Sequence, residues 1–425
     1  MGNRLITVFE DRQVKLDLST EEIRDILSYK DIWGSQNINI QADGTLLMRK
    51  YVGFVSSNKT RVQILPKIFS EFGENEVGEG NTLLFRLLYY SGYLPIKELP
   101  NPQYVSVYQG DLLEIFVSIF VKRFIRVFTR SMHREYEPSE ENIQCIKGKI
   151  LFQQSILKNF NNRHLHYVSY DELTVNTLLN QIFKTTFLRL LSQSRNAQNK
   201  KLLKIALTYM EDVDLVRLSL VIFSKVTFNR LNEIYRPLFN MAKLFYHNHQ
   251  PGNREGDELY FTFLVPLNEL FERYAYKLLC ETNFVKANNL EVNYHFPQGP
   301  LATCNQKSVF NLEPDITISN KGKVCIILDA KYKNADCIFQ ADLYQLVAYA
   351  LHFRCNTLYL LYPLFKGQTP IPCESTHYKI EAAFDSIDLF VVQMDLFKDF
   401  DELKEEFDVR LIRSDGRPPK VIHAR

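Results

Sequence analysis

An unbroken apolar run in the last quarter of the chain constrains the fold more than any other feature. Residues 324–328 read Val-Cys-Ile-Ile-Leu, with no charged position among the five. A strand with one solvent-facing side alternates apolar and polar residues, so a continuous run predicts a strand buried on both faces. Such a strand lies at the centre of a sheet that other elements cover, which indicates an α/β domain.

The apolar run ends in three residues that carry chemistry, Asp329-Ala330-Lys331. Because side chains alternate along a strand, Asp329 and Lys331 point to one face and Ala330 points to the other. A carboxylate and an ammonium are costly to bury at the end of a core strand unless they pair or bind a metal. We therefore expect a functional site at this strand end.

A second acid, Asp315, lies fourteen positions before Asp329, with an Asn-Lys-Gly-Lys turn at residues 320–323 between them. This spacing is what an antiparallel pair of strands needs to bring Asp315 and Asp329 together. Two carboxylates and the Ala330 carbonyl form an all-oxygen ligand set, which suits magnesium or manganese better than zinc. We expect these three residues to hold Mg²⁺ or Mn²⁺, with Lys331 orienting a bound water and stabilising developing charge.

A helix should follow this site, because apolar residues recur with helical spacing between positions 343 and 350. That apolar stripe predicts the face directed at the core. The opposite face aligns Asp342, Gln345 and Tyr349. We expect these polar side chains to contact phosphate or to brace the metal ligands.

The hydrophobic period divides the chain into three predicted domains. A period of two flanking an Asp-Gly turn at 43–44 predicts a β-rich domain over residues 1–105. Within it, a short helix with a capping-box pattern precedes the strands around that turn. Helical periods at 111–130, 172–193, 199–211 and 228–246 predict a helical domain over 106–250. Alternating strands and helices predict an α/β domain with a mixed sheet over 251–425. The acidic stretch 71–80 indicates an exposed loop, and the Gly-, Pro- and Asn-rich stretch 247–256 an exposed linker.

Composition excludes several classes of protein. The 51 Lys and Arg against 49 Asp and Glu leave a net charge of +2, so any polyanion site must be a local patch. No apolar stretch approaches the roughly 20 residues that span a bilayer, and we expect no membrane anchor and no export signal. Seven cysteines without a CxxC pair argue against a disulfide framework and favour the reducing cytoplasm.

Several motifs together carry a resemblance to a known family. Pro314-Asp315 followed by Asp329-Ala330-Lys331 resembles the signature of the PD-(D/E)xK nuclease superfamily, and Gln345-x-x-x-Tyr349 is similar to its RecB-like branch. Further matches, spread along most of the chain, make it similar to the McrC nuclease subunits of McrBC 5-methylcytosine restriction systems. They are Ile64-Leu65-Pro66-Lys67-Ile68, Ile146-Lys147-Gly148-Lys149-Ile150, Tyr170-Asp171-Glu172-Leu173, Leu179-Asn180, Leu270-Phe271-Glu272-Arg273-Tyr274 and Tyr362-Pro363.

The resemblance implies a restriction-endonuclease-like core that cleaves double-stranded, methylated DNA with the help of magnesium. It also implies a partner resembling McrB, a hexameric AAA+ GTPase on which the N-terminal domain docks and which it stimulates. Asp315, Asp329 and Lys331 are the catalytic positions it carries over, and Glu272 is the candidate for an acid on the first helix. The sequence has no GxxxxGK[ST] loop, so we expect GTP to act only through the partner.

Other readings of single features stay open at this point. Glu272 is equally consistent with a salt bridge on a helix surface, because Arg273 and Lys277 lie nearby. Lys122, Arg126, Arg130 and Arg134 line one helix edge if that helix extends far enough, and such a ridge either faces solvent or follows a phosphate backbone. The histidine pairs at 164/166 and 247/249 are expected to lie in loops without a metal.

Two alternative functions remain beside the nuclease subunit. A non-catalytic adaptor would activate an AAA+ motor through a decayed nuclease domain, although the intact Asp315, Asp329 and Lys331 argue against decay. A stand-alone RecB-like repair nuclease would cleave DNA without nucleotide or partner. The sequence does not identify the DNA mark, the cut position or the stoichiometry with the partner.

Overall fold

A computed structural model describes most of the chain, namely residues 4–27, 34, 36–41, 43–56, 60–68, 76–93, 111–247, 249–250, 260–295, 300–304, 307–334, 339–371, 376–381 and 386–414. Contacts between residues divide the chain into two units. Unit 1 joins residues 1–112 to residues 262–425, and unit 2 contains residues 113–261. The first and third predicted domains thus fall within one unit, while the three-domain division itself stays a prediction.

The N-terminal part of unit 1 contains six strands and two helices. They are β1 (Arg4–Phe9), β2 (Gln13–Lys15), α1 (Thr20–Leu27), β3 (Ile38–Ile40), β4 (Thr45–Met48), β5 (Tyr51–Ser56), β6 (Thr60–Leu65) and α2 (Glu76–Tyr90).

Unit 2 begins within a long helix and contains the middle elements. They are α3 (Leu112–Arg130), β7 (Glu135–Ile143), β8 (Lys149–Ile150), α4 (Phe152–Lys158), β9 (His166–Thr174), α5 (Leu178–Gln193), α6 (Ala197–Thr208), α7 (Leu220–Ser224), a 3₁₀ turn (Glu233–Tyr235), α8 (Arg236–His247) and β10 (His249–Gln250).

The C-terminal part of unit 1 follows a strand that starts at the end of unit 2. Its elements are β11 (Tyr260–Pro266), α9 (Leu267–Glu281), α10 (Asn283–Ala287), β12 (Glu291–Tyr294), β13 (Pro300–Cys304), β14 (Lys307–Asn311), β15 (Ile316–Asn320), β16 (Lys323–Ala330), α11 (Gln340–Phe353), β17 (Thr357–Pro363), β18 (His377–Glu381), β19 (Ser386–Met394) and α12 (Phe400–Ser414).

The predicted β-rich region at the N-terminus is confirmed. The Asp-Gly turn connects β3 to β4 as an antiparallel pair, and β2 joins them in a three-stranded sheet. The capping box is also present, since Ser19 N–H donates to Glu22 Oε2 at 2.7 Å and Glu22 N–H donates to Ser19 Oγ at 3.3 Å. Local sequence signals therefore predict these elements correctly.

A strand from the far side of the sequence completes the N-terminal sheet. β6 pairs with β1 in parallel and with β5 antiparallel, and residues 262–266 of β11 pair with β5. Gly53 makes this last pairing possible, because a Cβ at that position would lie 1.9 Å from the Phe263 carbonyl oxygen. Long-range pairing of this kind explains why residues 1–112 and 262–425 form one unit.

The predicted mixed sheet of the C-terminal region is confirmed and has six strands in the order β12-β15-β16-β17-β19-β18. The pairs β12–β15, β15–β16 and β18–β19 are antiparallel, whereas β16–β17 and β17–β19 are parallel. β16 lies inside this sheet, and its residues from Ile326 to Ala330 are all buried. Of the apolar run 324–328, four residues are buried as predicted, whereas Cys325, near the start of the strand, is exposed. Helix α11 contributes Leu346, Tyr349 and Ala350 to the core under β16 and β17.

The prediction that residues 106–250 form a helical domain is correct for the helices but incomplete. β7, β9 and β8 form an antiparallel three-stranded sheet, and the helix predicted from residue 172 begins only at Leu178. β7 reads Glu-Tyr-Glu-Pro-Ser-Glu-Glu-Asn-Ile and is exposed along nearly its whole length. The backbone of β7 is held by its pairing with β9. Because neither face of β7 is buried, its sequence shows no alternation of apolar and polar residues from which a strand could be predicted.

Packed phenylalanines form the helical core of unit 2. Phe120 and Phe124 of α3 contact Phe183 and Phe187 of α5 with ring centroids 4.7–6.3 Å apart. All four side chains are fully buried. Aromatic residues at helical spacing therefore predict this part of the unit correctly.

Two predicted connecting segments lie partly outside the described residues. Of the acidic stretch 71–80, residues 76–80 begin helix α2, so the loop prediction is wrong there, and residues 71–75 lie outside. The acidic side chains fit the first turn of a helix, where the dipole favours negative charge. Of the predicted linker 247–256, His247 ends helix α8 and residues 249–250 form a short strand paired with residues 260–261, so the linker prediction is wrong at these positions. Residues 248 and 251–256 lie outside the described residues.

Within the described ranges, none of the helices combines the length and apolar character that crossing a bilayer requires.

Candidate functional site

Three neighbouring strands place polar side chains at the same level of the six-stranded sheet. In the β15–β16 register Ile316 faces Leu328, so the next pair outward is Asp315 with Asp329. In the β12–β15 register Tyr294 faces Ile316, which sets His295 opposite Asp315. The predicted meeting of Asp315 and Asp329 across an antiparallel pair is therefore present, and a histidine extends the row.

The predicted acid pair and lysine are close together. Lys331 Nζ lies 2.8 Å from Asp329 Oδ2 and 3.9 Å from Asp315 Oδ2. Asp315 Oδ2 also accepts a hydrogen bond of 2.9 Å from the Ala330 backbone N–H. The backbone of β16 is held in turn by Lys331 N–H, which donates to the Leu361 carbonyl at 2.8 Å. The ammonium of Lys331 thus forms ion pairs with two carboxylates, one from each of two adjacent strands.

Burial dominates the electrostatics of this cluster. The Asp329 side chain is 0% exposed and that of Asp315 is 11% exposed. Loss of hydration raises the pKa of Asp329 to about 7, and the neighbouring Asp315 charge adds to this rise while Lys331 opposes it. Burial likewise raises the pKa of Asp315, and the negative charge of Glu272 raises it further. The carboxylates of Asp315, Asp329 and Glu272 therefore carry more negative charge than the single ammonium of Lys331 can neutralise.

The residues present fit the proposed divalent cation. Among the described residues, no donor reaches either Asp329 oxygen with hydrogen-bond geometry, so these buried acceptors rely on the ion pair with Lys331. The described part of the chain contains no group of three His, Cys, Asp or Glu side chains arranged to hold a metal by themselves. A cation here would accordingly depend on Asp315, Asp329, the Ala330 carbonyl and water, a ligand set typical of magnesium.

Glu272 lies beside the acid pair and is not part of a helix-surface salt bridge with Arg273. Arg273 instead pairs with Glu269, its Nε lying 3.0 Å from Glu269 Oε1. The Glu272 side chain is 16% exposed, and its Oε2 lies 3.2 Å from His295 Nε2. Burial raises the pKa of Glu272, His295 and Lys331 lower it, and Asp329 raises it. This carboxylate is therefore within electrostatic reach of the predicted site.

Gln345 and Tyr349 brace the strand that carries Asp315. Gln345 Nε2 donates to Tyr349 Oη at 2.8 Å, and Tyr349 Oη donates to the Glu313 carbonyl at 3.2 Å. Tyr349 is buried in the core under the sheet, while Gln345 is exposed. Asp342 is also buried and accepts a hydrogen bond of 2.7 Å from Tyr362 Oη. Tyr349 and Asp342 therefore point inward and not to a solvent-exposed helix face.

His295 is the residue of this cluster that the sequence did not reveal. Its backbone N–H donates to the Asp315 carbonyl at 3.0 Å, and its Nδ1 lies 3.3 Å from Glu313 Oε1. In the sequence, the only indication was a histidine directly after the residues that form the short strand β12. It lies far along the chain from Pro314-Asp315 and belongs to none of the motifs named above. Only the pairing of β12 with β15 brings it to the site.

The other candidate positions lie elsewhere. Helix α3 ends at Arg130, so Arg134 does not extend the basic ridge of Lys122, Arg126 and Arg130. Of the histidine pairs, His166 begins strand β9 rather than lying in a loop. The loop prediction is also wrong for the second pair, because His247 ends helix α8 and His249 lies in strand β10. The DNA contact suggested for the basic ridge stays a prediction.

A model of a known protein family matches most of the chain. The model of the family described as "McrBC 5-methylcytosine restriction system component" matches residues 46–363. A curated relative from Escherichia coli K12, the type IV methyl-directed restriction enzyme EcoKMcrBC, is 24% identical over 280 residues. That alignment covers 63% of this chain and 79% of the relative.

Two solved structures share the fold. A chain of the half-complex from the tetradecameric assembly of Thermococcus gammatolerans McrB AAA+ hexamers with bound McrC matches with a TM-score of 0.77 and 21% identity. The match covers 96% of this chain and 99% of that chain. A chain of the Thermococcus gammatolerans McrBC complex matches with a TM-score of 0.53 and 23% identity, over 65% and 87% of the two chains.

Proposed function

Because this chain belongs to the family of McrBC 5-methylcytosine restriction system components, we propose that it is the McrC-type nuclease subunit of such a system. It cleaves DNA phosphodiester bonds with the help of magnesium. The single observation that carries this proposal is the meeting of Asp315 and Asp329 across two strands, with Lys331 Nζ 2.8 and 3.9 Å from their Oδ2 atoms.

Each residue of the cluster has a proposed role. Asp315, Asp329 and the Ala330 carbonyl would hold Mg²⁺, which would supply Lewis-acid polarisation of a phosphoryl oxygen and a lower pKa for a bound water. Lys331 orients the attacking water and stabilises the negative charge that develops on the phosphate. The buried residues of β15 and β16 pack around these side chains and leave them little freedom to rearrange. Less entropy is therefore lost when the transition state is reached.

The supporting residues act on the position of this cluster. Tyr349 and Gln345 hold the Glu313 carbonyl, two residues before Asp315, and thereby limit movement of the strand that carries it. Glu272 adds a carboxylate from helix α9 at the edge of the site. We propose positioning of the metal ligands as the role of Tyr349 and Gln345, in place of direct phosphate contact, because Tyr349 points into the core.

The partner is proposed from the family. The curated relative and the two structures carry names of McrBC systems, and one names McrB AAA+ hexamers with bound McrC. We propose that this chain likewise binds a hexameric AAA+ GTPase resembling McrB and stimulates its GTP hydrolysis, and that the assembly acts on double-stranded methylated DNA. Docking through residues 1–105 stays a prediction.

The test compares Asp329→Ala and Lys331→Ala with the unchanged chain in the presence of the cognate AAA+ partner, GTP, Mg²⁺ and methylated DNA. We expect both variants to lose at least about 1,000-fold in cleavage rate, since each removes a group that acts on the reacting phosphate. Both should still stimulate the GTPase, because we propose that the partner docks on residues 1–105 and not on the acid cluster. His377→Ala is the matched control, since it breaks a histidine–carboxylate pair on the edge strand β18.

Full cleavage by either variant would remove Asp329 and Lys331 from the mechanism. Normal GTPase stimulation with no cleavage by the unchanged chain, under Mg²⁺ or Mn²⁺, would instead support the adaptor hypothesis. Cleavage without partner or nucleotide would support a stand-alone nuclease. Loss of both activities together would indicate misfolding of the variant, which its thermal unfolding midpoint reports.

A further inference from the structure

We propose that His295 is a positioning residue that holds the Glu272 carboxylate toward Asp315 and Asp329, making Glu272 the third carboxylate of the site. This inference rests on the proposed nuclease function and extends it to a residue that follows β12. The side chain of His295 bridges two carboxylates, and its backbone is tied to the strand end that carries Asp315.

The backbone of His295 is fixed by two independent features. Its N–H donates to the Asp315 carbonyl at 3.0 Å, which continues the β12–β15 ladder by one position. Its φ of 48° lies in the left-handed region, which turns the chain away from the strand directly after this contact. The imidazole is therefore attached to a rigid point next to a proposed metal ligand.

The ring of His295 is held on both sides. Nε2 lies 3.2 Å from Glu272 Oε2 and Nδ1 lies 3.3 Å from Glu313 Oε1, so both ring nitrogens face a carboxylate. The ring also contacts Tyr294 edge to face, with centroids 4.1 Å apart. A histidine with both nitrogens engaged cannot rotate without losing a contact, and it can therefore set the orientation of the acid it touches.

Glu272 needs such a partner because of where α9 places it. A glutamate side chain has several freely rotating bonds, and the negative charges of Asp315 and Asp329 repel its carboxylate. Only 16% of the side chain is exposed, so water compensates little of this repulsion. A hydrogen bond from His295 would hold the Glu272 carboxylate beside the two aspartates. The side chain would then already be ordered, and less conformational entropy would be lost than if Glu272 rotated freely.

The increasing exposure along this row fits a supporting role. The Glu272 side chain is 16% exposed, His295 is 36% exposed and Glu313 is 53% exposed. His295 thus lies between the buried acid cluster and a carboxylate at the surface. Removing a residue that supports a metal site from outside the set of direct ligands typically changes metal affinity or activity by about 10- to 100-fold.

The experiment measures Mn²⁺ binding to the full-length chain by calorimetry, in parallel with cleavage kinetics in the complex with its AAA+ partner. We expect His295→Ala to weaken Mn²⁺ binding by about 10-fold or more and to lower kcat by a similar factor, with KM for DNA unchanged. His295→Gln keeps an N–H donor of similar reach and should restore both quantities to within about threefold. His377→Ala, at the opposite edge of the sheet, should match the unchanged chain.

A double variant separates positioning from a merely structural role. If His295 acts through Glu272, adding His295→Ala to Glu272→Gln should produce no loss beyond that of Glu272→Gln alone. The proposal would be overturned if the losses of the two single variants multiplied in the double variant. It would also be overturned if His295→Ala bound Mn²⁺ and cleaved DNA as well as the unchanged chain. Failure of His295→Gln to restore binding, at an unchanged unfolding midpoint, would also overturn it.

The same series distinguishes this inference from the proposed function. Asp329→Ala should abolish both Mn²⁺ binding and cleavage if the aspartate pair is the metal site. If Asp329→Ala behaves so and His295→Ala does not change either quantity, only the role of His295 is wrong. If Asp329→Ala retains both, the nuclease site and the role of His295 are wrong together.

Discussion

Asp315 Oδ2 accepts a 2.9 Å hydrogen bond from the backbone N–H of Ala330, so the acid of one strand is joined to the main chain of its neighbour. This bond fixes the distance between β15 and β16 at the point where the two proposed metal-binding carboxylates meet. The bond uses Oδ2 of Asp315, and we propose that the other oxygen, Oδ1, faces the cation. The strand pairing and the chemistry of the site therefore depend on the same contact.

The ion pair between Lys331 and Asp329 should be costly to break from one side. Lys331→Met leaves the fully buried Asp329 carboxylate without its ammonium, and we expect a loss of about 3–5 kcal/mol in the free energy of unfolding without divalent cations. Adding Asp329→Asn should recover most of this loss. Chemical denaturation of the four proteins in the cycle measures both effects, and additive losses would contradict the pairing. Lys286→Met breaks an exposed pair with Glu281 and should cost at most about 1 kcal/mol.

Divalent cations should stabilise the chain through the acid pair. Binding to the folded state alone adds about 2.7 kcal/mol when the Mg²⁺ or Mn²⁺ concentration is 100 times Kd. We expect the thermal unfolding midpoint to rise with either ion and to fall back with EDTA. Asp315→Asn should remove the rise, whereas Asp388→Asn, which pairs with His377 on the far edge, should keep it. An equal rise for both variants would place the cation elsewhere.

Glu10 should make stability fall as the pH rises. Burial raises the pKa of Glu10 from 4.5 to about 7, so between these values the unfolded state ionises while the folded state stays protonated. The folded state then binds more protons, and the free energy of unfolding decreases by roughly 3 kcal/mol from pH 4.5 to above pH 7. Glu10→Gln should remove this decrease, as urea unfolding at pH 5 and pH 8 can show. The exposed Glu281→Gln should leave it intact.

Tyr349 should contribute by packing more than by its hydroxyl. Tyr349→Phe removes the donor to the Glu313 carbonyl and should cost about 1 kcal/mol, whereas Tyr349→Ala empties part of the core and should cost about 3–5 kcal/mol. Because the hydroxyl only supports the strand, we expect Tyr349→Phe to keep cleavage within about tenfold. Denaturation and cleavage assays check both points. A loss as large as that of Asp329→Ala would indicate direct participation of the hydroxyl.

Gly148 should be required for the sheet of unit 2. Its φ is +71°, and a Cβ there would lie 2.4 Å from the Ser169 carbonyl oxygen. Gly148→Ala adds this clash with backbone to a left-handed strain of about 1 kcal/mol. Gly92→Ala is the matched control, because Gly92 has a φ of +79° with nothing within 4 Å of the added Cβ. Equal changes in unfolding free energy for the two variants would show that the clash is relieved.

Local and periodic signals predicted the parts of the fold that depend on few residues. The capping box at Ser19 and Glu22, the Asp-Gly hairpin, the buried strand β16 and the phenylalanine-rich helices of unit 2 all appear as expected. The exposed strand β7 was missed, because a strand without apolar alternation carries no periodic signal. The inward orientation of Tyr349 was missed because helix rotation depends on packing against the sheet.

The sequence alone determined that Asp315, Asp329 and Lys331 come together, because the turn between two strands and the alternation of side chains specify short-range pairing. It did not determine that β11 completes the N-terminal sheet or that His295 joins the acid cluster. Those relationships are set by pairings between strands far apart in the chain, whose entropy cost is offset only when the whole core packs. Tertiary structure therefore decided which residues surround the site that the sequence had located.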